Sequence, residues 1–271
     1  MNFINDFIPV IIPNEDESFV TLQKNQVPRK FRYAQDKQVL TYQIEWLVSY
    51  GFQKIYVVCD VSLETDVRNC IKGYENIIEL NVFEIIKGSA DALSAIKDKL
   101  TKDLIVLSGS IILEVDLINL IDDYRVSDGL ITIVLQEIDI DIKQRNKSND
   151  IMVYGLYQDS KLLLADTLFQ GENIRIPKVL LSKYPNYSLR TDLKDPSMYI
   201  ITKHAMKYIA EPEIKRIALD LLPKLLSSQH YINDDPIMKT IVEEKKKEML
   251  FDHEVNLCNA YIVKKHTTNQ K

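Results

Sequence analysis

Apolar runs of strand length alternate with segments of helical period through the first half of the chain. Phe7 to Ile12 reads as a strand, and a polar stretch without clear period follows from Asn14 to Arg32. Val39 to Tyr50 reads as a helix, with Leu40, Ile44, Leu47 and Val48 on one face. Gly51 stands where a helix-terminating glycine belongs. Lys54 to Val58 is rich in β-branched residues and predicts a strand, Leu63 to Ile71 a helix, and Ile77 to Ile86 contains the next strand. Ser89 is placed to cap a helix running to about Leu100. Leu104 to Leu107 and Leu130 to Leu135 are unbroken apolar runs, as expected of strands buried on both faces, with a short helix from Leu117 to Tyr124 between them.

This rhythm predicts an α/β fold: a mostly parallel sheet with helices on both faces. Ligands of such sheets sit at the carboxyl ends of the strands, so the loops after Ile12 and Leu107 are where chemistry is expected. Beyond residue 140 the pattern changes. Lys143 to Asp150 is polar and reads as a surface loop. Met152 to Tyr157 and Leu162 to Thr167 predict an antiparallel pair turned at Asp159 and Ser160. A short helix is expected at Val179 to Lys183, and strands at Leu189 to Thr191, Met198 to Ile201 and Cys258 to Val263. Ile214 to Ser228 predicts an amphipathic helix, with Pro223 as a candidate kink. Glu243 to Glu248 is a charge run that reads as a solvated helix face.

Composition narrows the function classes. Of 271 residues, 46% are hydrophobic and 27% charged, and the formal net charge is −5, which gives no basis for a dedicated nucleic-acid surface. No apolar run has the length of a membrane helix, and Met1 to Asp6 lacks the basic and apolar regions of a signal peptide. The expected location is therefore the cytosol, with no membrane partner. Three well-separated cysteines, Cys59, Cys70 and Cys258, have no metal-ligand spacing and suit a reducing compartment. The four histidines are scattered and point to no metal or general base. Seven glycines stand far apart, so no glycine-rich phosphate loop is present.

Three segments carry a family resemblance. Val27 to Leu47, VPRKFRYAQDKQVLTYQIEWL, is similar to a segment of sugar-nucleotide pyrophosphorylases, through Pro28, Lys37, Leu40, Tyr42, Gln43, Glu45, Trp46 and Leu47. Gly88 to Leu93 resembles that family's G-T-A-D-A-L, and Leu104 to Ile112 its LLVLSGDLI. The resemblance implies a Rossmann-like nucleotidyltransferase domain with a mostly parallel mixed sheet and a helical C-terminal part. It also exposes departures. The family's G-G-x-G-S-R falls on Asn14, Glu15, Asp16, Glu17, Ser18 and Phe19. Carboxylates there repel phosphates. Arg29 stands for the family's lysine and keeps its charge, while Ser110 replaces the metal-binding aspartate, and a hydroxyl is a poor Mg²⁺ ligand. Asn14, Glu15, Glu17, Phe19, Arg29, Gly88, Ser89 and Ser110 are thus expected to mark a vestigial pocket, with no catalytic residue, no metal and no cofactor.

Within this superfamily, Val179 to Leu193, Asp195 to Ile200 and Ile214 to Gln229 resemble the gamma subunits of eukaryotic translation initiation factor 2B. Epsilon subunits usually lack the segment matched by Gly88 to Leu93. The resemblance implies a non-catalytic part of the exchange factor for initiation factor 2. Its partners would be epsilon and the other subunits of factor 2B, and initiation factor 2 itself; its task would be to help release GDP. Gamma subunits continue into a left-handed β-helix, so residues 1–250 are expected to form the nucleotidyltransferase-like domain and residues 251–271 a linker or the start of that helix. A fragment and a naturally reduced protein both fit. The alternative function is a pyrophosphorylase, either active or a regulatory partner of an active one.

Overall fold

The structure, a computed structural model, describes residues 3–13, 38–108, 115–138, 150–169, 173–248 and 257–264. In chain order the elements begin with β1 (Phe7–Ile12), α1 (Val39–Ser49), β2 (Ile55–Asp60), α2 (Glu64–Cys70), β3 (Ile78–Phe83), α3 (Ser89–Ala95) and β4 (Asp103–Ser108). They continue with α4 (Leu117–Ser127), β5 (Ile131–Glu137), β6 (Asp150–Tyr157), β7 (Lys161–Phe169), α5 (Lys178–Lys183), β8 (Ser188–Arg190) and β9 (Leu193–Lys194). The last are β10 (Met198–Ile201), α6 (Met206–Ile209), α7 (Leu222–His230), α8 (Pro236–Glu248) and β11 (Cys258–Val263). Contacts divide the chain into two compact units, Met1–Ile121 with Pro196–Leu221, and Asp122–Asp195 with Leu222–Lys271.

The first unit holds a sheet in the order β3-β2-β1-β4-β10. β3, β2, β1 and β4 are mutually parallel, and β10 runs antiparallel to β4. The chain steps outward from β1 to β2 to β3, then crosses back to β4 on the other side of β1. With right-handed crossovers, that reversal puts α1 and α2 on one face and α3 on the other. Strand register follows burial. Val10, Ile11, Leu104, Ile105, Val106 and Leu107 are all buried, so β1 and β4 form the two-sided centre that their unbroken apolar runs predict. α1 ends where expected: Tyr50 and Gly51 donate N–H groups to Leu47 and Val48, and Gly51 takes φ +96°, a left-handed conformation that favours glycine. At the end of β2, Asp60 turns the chain by accepting the Leu63 N–H at 3.3 Å and the Ser62 hydroxyl at 2.5 Å.

The second unit holds the sheet β5-β11-β7-β6-β8. β11 is parallel to β5, β7, β6 and β8 are antiparallel to their neighbours, and β9 pairs with β5 on a side path. Cys258–Val263 is thus an interior strand of this sheet. The expected hairpin of β6 and β7 is present, with Gln158 and Asp159 at positive φ in its turn. All three cysteines are buried and free. α8 starts on Asp235, whose carboxylate accepts the N–H groups of Ile237 and Met238, with Pro236 in the first helical position where no N–H is needed.

Two expectations are corrected. The predicted helix over Ile214 to Ser228 is replaced by a π-turn, Ile217–Leu221, followed by α7. Lys215 and Arg216 precede the π-turn, and the Asp220 carboxylate caps it by accepting both their N–H groups, at 3.0 and 2.7 Å. Pro223 is the second residue of α7, directly after the π-turn. The charge run is also not a purely solvated face. Lys245 is only 5% exposed, and its ammonium donates to the Asp128 carbonyl, the Asp128 carboxylate at 2.9 Å and the Gly129 carbonyl at 3.4 Å. Asp128 follows α4 at φ +47°, so the lysine ties down the end of that helix.

Lys245→Met keeps the apolar stem and removes the ammonium. It is expected to lower stability by about 1–3 kcal/mol, the range for leaving buried acceptors without a partner. A lower urea midpoint at an unchanged slope would show it; no change would mean that Asp128 and Gly129 are satisfied without the lysine.

Candidate functional site

The reversal of strand order between β1 and β4 splays their carboxyl ends and leaves a crevice in the first unit. A cavity of about 320 Å³ lies there. Ile12 and Pro13 bound it from β1, Cys59 and Asp60 from β2, and Ser108 from β4. Gly88 and Ser89 close it from the start of α3; Ser197, Tyr199 and Arg216 close it from the later segment of the unit. The Ser108 N–H donates to the Ser197 carbonyl at 2.9 Å, which fixes the end of β4 against the approach to β10.

Of the vestigial-pocket residues expected from sequence, Gly88 and Ser89 line this cavity. Asn14, Glu15, Glu17, Phe19, Arg29 and Ser110 lie outside the described residues. Sequence reasoning missed Cys59, Ser197, Tyr199 and Arg216. Cys59 follows directly on a predicted strand, and Ser197, Tyr199 and Arg216 lie in two segments that carry the gamma resemblance, Asp195 to Ile200 and Ile214 to Gln229, without being marked there as site residues.

A backbone carbonyl dominates the site's geometry. Lys215 O accepts the N–H groups of Ala90 and Asp91 at 2.8 and 3.0 Å, two of the donors that the start of a helix leaves free. The Ser89 hydroxyl accepts the Ile217 N–H at 3.0 Å. The cap of α3 is therefore Gly88, which makes no side-chain bond, and the expected capping role of Ser89 passes to Lys215. Gly88 is required by close approach: a Cβ there would lie 2.6 Å from the Lys215 carbonyl oxygen and from Arg216 Cγ. An ion pair completes the clasp, Lys215 Nζ to Asp91 Oδ1 at 3.0 Å, while Asp91 Oδ2 accepts the Lys87 N–H at 2.9 Å. The Lys87 amide first, and the Lys215 ammonium after it, hold the Asp91 carboxyl below the usual carboxylate range.

The chemistry open to this cavity is that of binding. Burial pushes the Cys59 thiol up to about 11, so it stays protonated at neutral pH and is a poor nucleophile. Asp60 turns its carboxylate to its own turn. The Arg216 guanidinium and the hydroxyls of Ser89 and Ser108 are suited to an anionic or hydroxylated group. Among the described residues, no group of three or more His, Cys, Asp or Glu side chains is arranged to hold a metal ion.

Two outcomes follow from the clasp. Gly88→Ala is expected to cost about 1–3 kcal/mol, the range for overpacking, because backbone opposes the new methyl; thermal unfolding of the variant checks it, and an unchanged midpoint would contradict the close approach. Because its folded pKa is lowered, the Asp91 carboxylate stabilises the fold above its unfolded pKa, near 4, and that stability is lost as pH falls through the folded value. Asp91→Asn should therefore flatten the acid limb of a stability-versus-pH curve, and an identical limb would contradict it.

No family model matches the chain. It is 25% identical over 216 residues to the translation initiation factor eIF2B subunit gamma of Schizosaccharomyces pombe, covering 75% of this chain and 47% of that protein. It is 23% identical over 231 residues to the same-named subunit of Dictyostelium discoideum, covering 75% of this chain and 52% of that protein. The chain thus spans about half the length of the curated relatives it matches. Among solved structures, HddC from Yersinia pseudotuberculosis matches with a TM-score of 0.55 over 94% of this chain and 89% of that one, at 14% identity. That likeness concerns the fold alone: an α/β arrangement with a mixed sheet, helices on both sides and a nucleotidyltransferase-like neighbour. The chain is therefore gamma-like, similar in sequence to the gamma subunits of translation initiation factor eIF2B and similar in fold to HddC.

Proposed function

We propose that this protein is a non-catalytic subunit of a translation initiation factor of the eIF2B kind. The observation that carries the reading is the similarity to two gamma subunits across three-quarters of the chain. In this reading it works in a multi-subunit complex, binds an epsilon-like subunit, and helps that subunit promote GDP release from the initiation GTPase. It acts in the cytosol.

Two features support a binding role over catalysis. In sequence, the loop that would wrap a triphosphate carries Glu15, Asp16 and Glu17, and a serine, Ser110, stands where a metal-binding aspartate is expected. In the described cavity, the amides of Ala90 and Asp91 are already taken by the chain's own Lys215 carbonyl. A helix start so occupied has fewer donors left for a phosphate.

Affinity purification of the tagged protein from its native cells tests the reading. Recovery of the other exchange-factor subunits and of initiation factor 2 is the expected outcome. Recovery of an active pyrophosphorylase, or release of pyrophosphate from nucleoside triphosphate, sugar 1-phosphate and Mg²⁺ by the purified chain, would overturn it.

A further inference from the structure

The sheet of the first unit has a second cavity, at the edge where its strands begin. Its volume is about 470 Å³, and it shares no lining residue with the crevice at the carboxyl edge. Three lysines from three separate segments surround it: Lys54 just before β2, Lys99 in the turn after α3, and Lys102 just before β4. No Asp or Glu lines it. We propose that this cavity binds a small, multiply charged phosphate compound.

Charge is the first argument. Glu79, beside the cavity, pairs with Lys54 at 2.8 Å and with Lys99 at 2.6 Å, so one carboxylate serves two ammoniums. Lys102 donates to a neutral acceptor, the Asn5 carbonyl, at 2.5 Å. Three ammoniums thus line one cavity with one carboxylate bonded to two of them, in a chain whose net charge is −5. A dianionic or more highly charged ligand answers that excess, and tetrahedral phosphoryl oxygens meet ammonium donors arriving from several directions.

Preorganisation is the second. Lys99 is held by Glu79 and by Asn81 Oδ1 at 2.5 Å, Lys102 by Asn5, and Lys54 by Glu79 with its ammonium 4.8 Å from the Tyr56 ring centroid. Each ammonium has three donors, so each keeps capacity for a ligand while its position is already restricted. Shape is the third. The cavity has the volume of a small-molecule site, and buried Phe7 and Phe52 offer an apolar wall for an organic part. The lysines ring one cavity; they are not strung along a groove as a polymer backbone would need. Lys54 and Lys99 keep 60% and 44% of their side-chain surface exposed, so salt should weaken binding strongly.

The test is calorimetric titration of the full chain with inorganic pyrophosphate at low salt. Expected are saturable one-site binding, weakening as salt rises, affinity reduced about tenfold in K102Q, and loss of binding in K54Q/K99Q/K102Q. Because the triple variant frees Glu79 and can lose stability, Glu79→Gln supplies a second readout: removing the nearby negative charge should tighten binding severalfold. R216Q, which alters the crevice at the carboxyl edge, should leave this binding unchanged. Absence of saturable binding at millimolar pyrophosphate, unchanged affinity in both K102Q and E79Q, or loss of binding in R216Q alone would overturn the proposal. So would tighter binding of single-stranded nucleic acid than of pyrophosphate, since a polymer would then be the ligand.

Discussion

The Lys215 carbonyl accepts two amides at the start of α3, and much of the first unit's local structure follows from that geometry. The carbonyl reaches the helix only because residue 88 has no side chain to keep it away. With the Lys215 carbonyl committed to α3, the helical ladder starts at the next carbonyl, Arg216 O, which accepts the Asp220 and Leu221 N–H groups, while Asp220 caps the N–H groups of Lys215 and Arg216. The helix that the sequence pattern starts at Ile214 accordingly begins late, through a π-turn. Arg216 is brought beside the crevice by the same displacement. One tertiary contact therefore sets a helix boundary, a glycine requirement and the polar lining of the site.

The contact also separates the fold's framework from its chemistry. The framework is the parallel set β3, β2, β1 and β4, whose reversal at β1 and β4 opens a crevice whatever side chains line it. Its stability rests on apolar burial in β1 and β4, which asks nothing of the crevice residues. The sheet therefore tolerates different side chains in the crevice without loss of its framework. The fold therefore does not by itself decide what the crevice does.

What the sequence made legible was set by range. β4 and β5 were readable because two-sided burial imposes an unbroken apolar run, a purely local mark. Gly51 was readable because helix termination is decided within a few residues. Gly88 and Ser89 were readable through the motif they share with a known family, though not the reason for the glycine, since its partner lies 127 residues further on. Arg216, Ser197 and Tyr199 lay in segments with a family resemblance, but nothing tied them to the crevice, because a side chain that joins a site from a distant segment obeys no local spacing. Lys245 misled for a related reason: a lysine flanked by charges looks solvated until Asp128 and Gly129 are seen to receive its ammonium.

The two edges of the first sheet differ in a way that bears on function. At the carboxyl edge, the amides of Ala90 and Asp91 are taken by the Lys215 carbonyl, Lys215 is paired with Asp91 at 3.0 Å, and Arg216, the cation that lines the crevice, has the Asp220 carboxylate 3.8 Å away. At the amino edge, three ammoniums share one carboxylate and two neutral acceptors. Coulomb attraction to an incoming anion depends on charge that is not already balanced, and the amino edge brings three ammoniums to its cavity where the carboxyl edge brings one guanidinium. A parallel sheet ordinarily places its ligand where strands end, because loops and helix starts there supply donors. When those donors are occupied by the chain itself, as at Ala90 and Asp91, the usual advantage of that edge is reduced. Lysines before β2 and β4 need no loop geometry to act; they need only a cavity and too few carboxylates, and both are present where the strands begin.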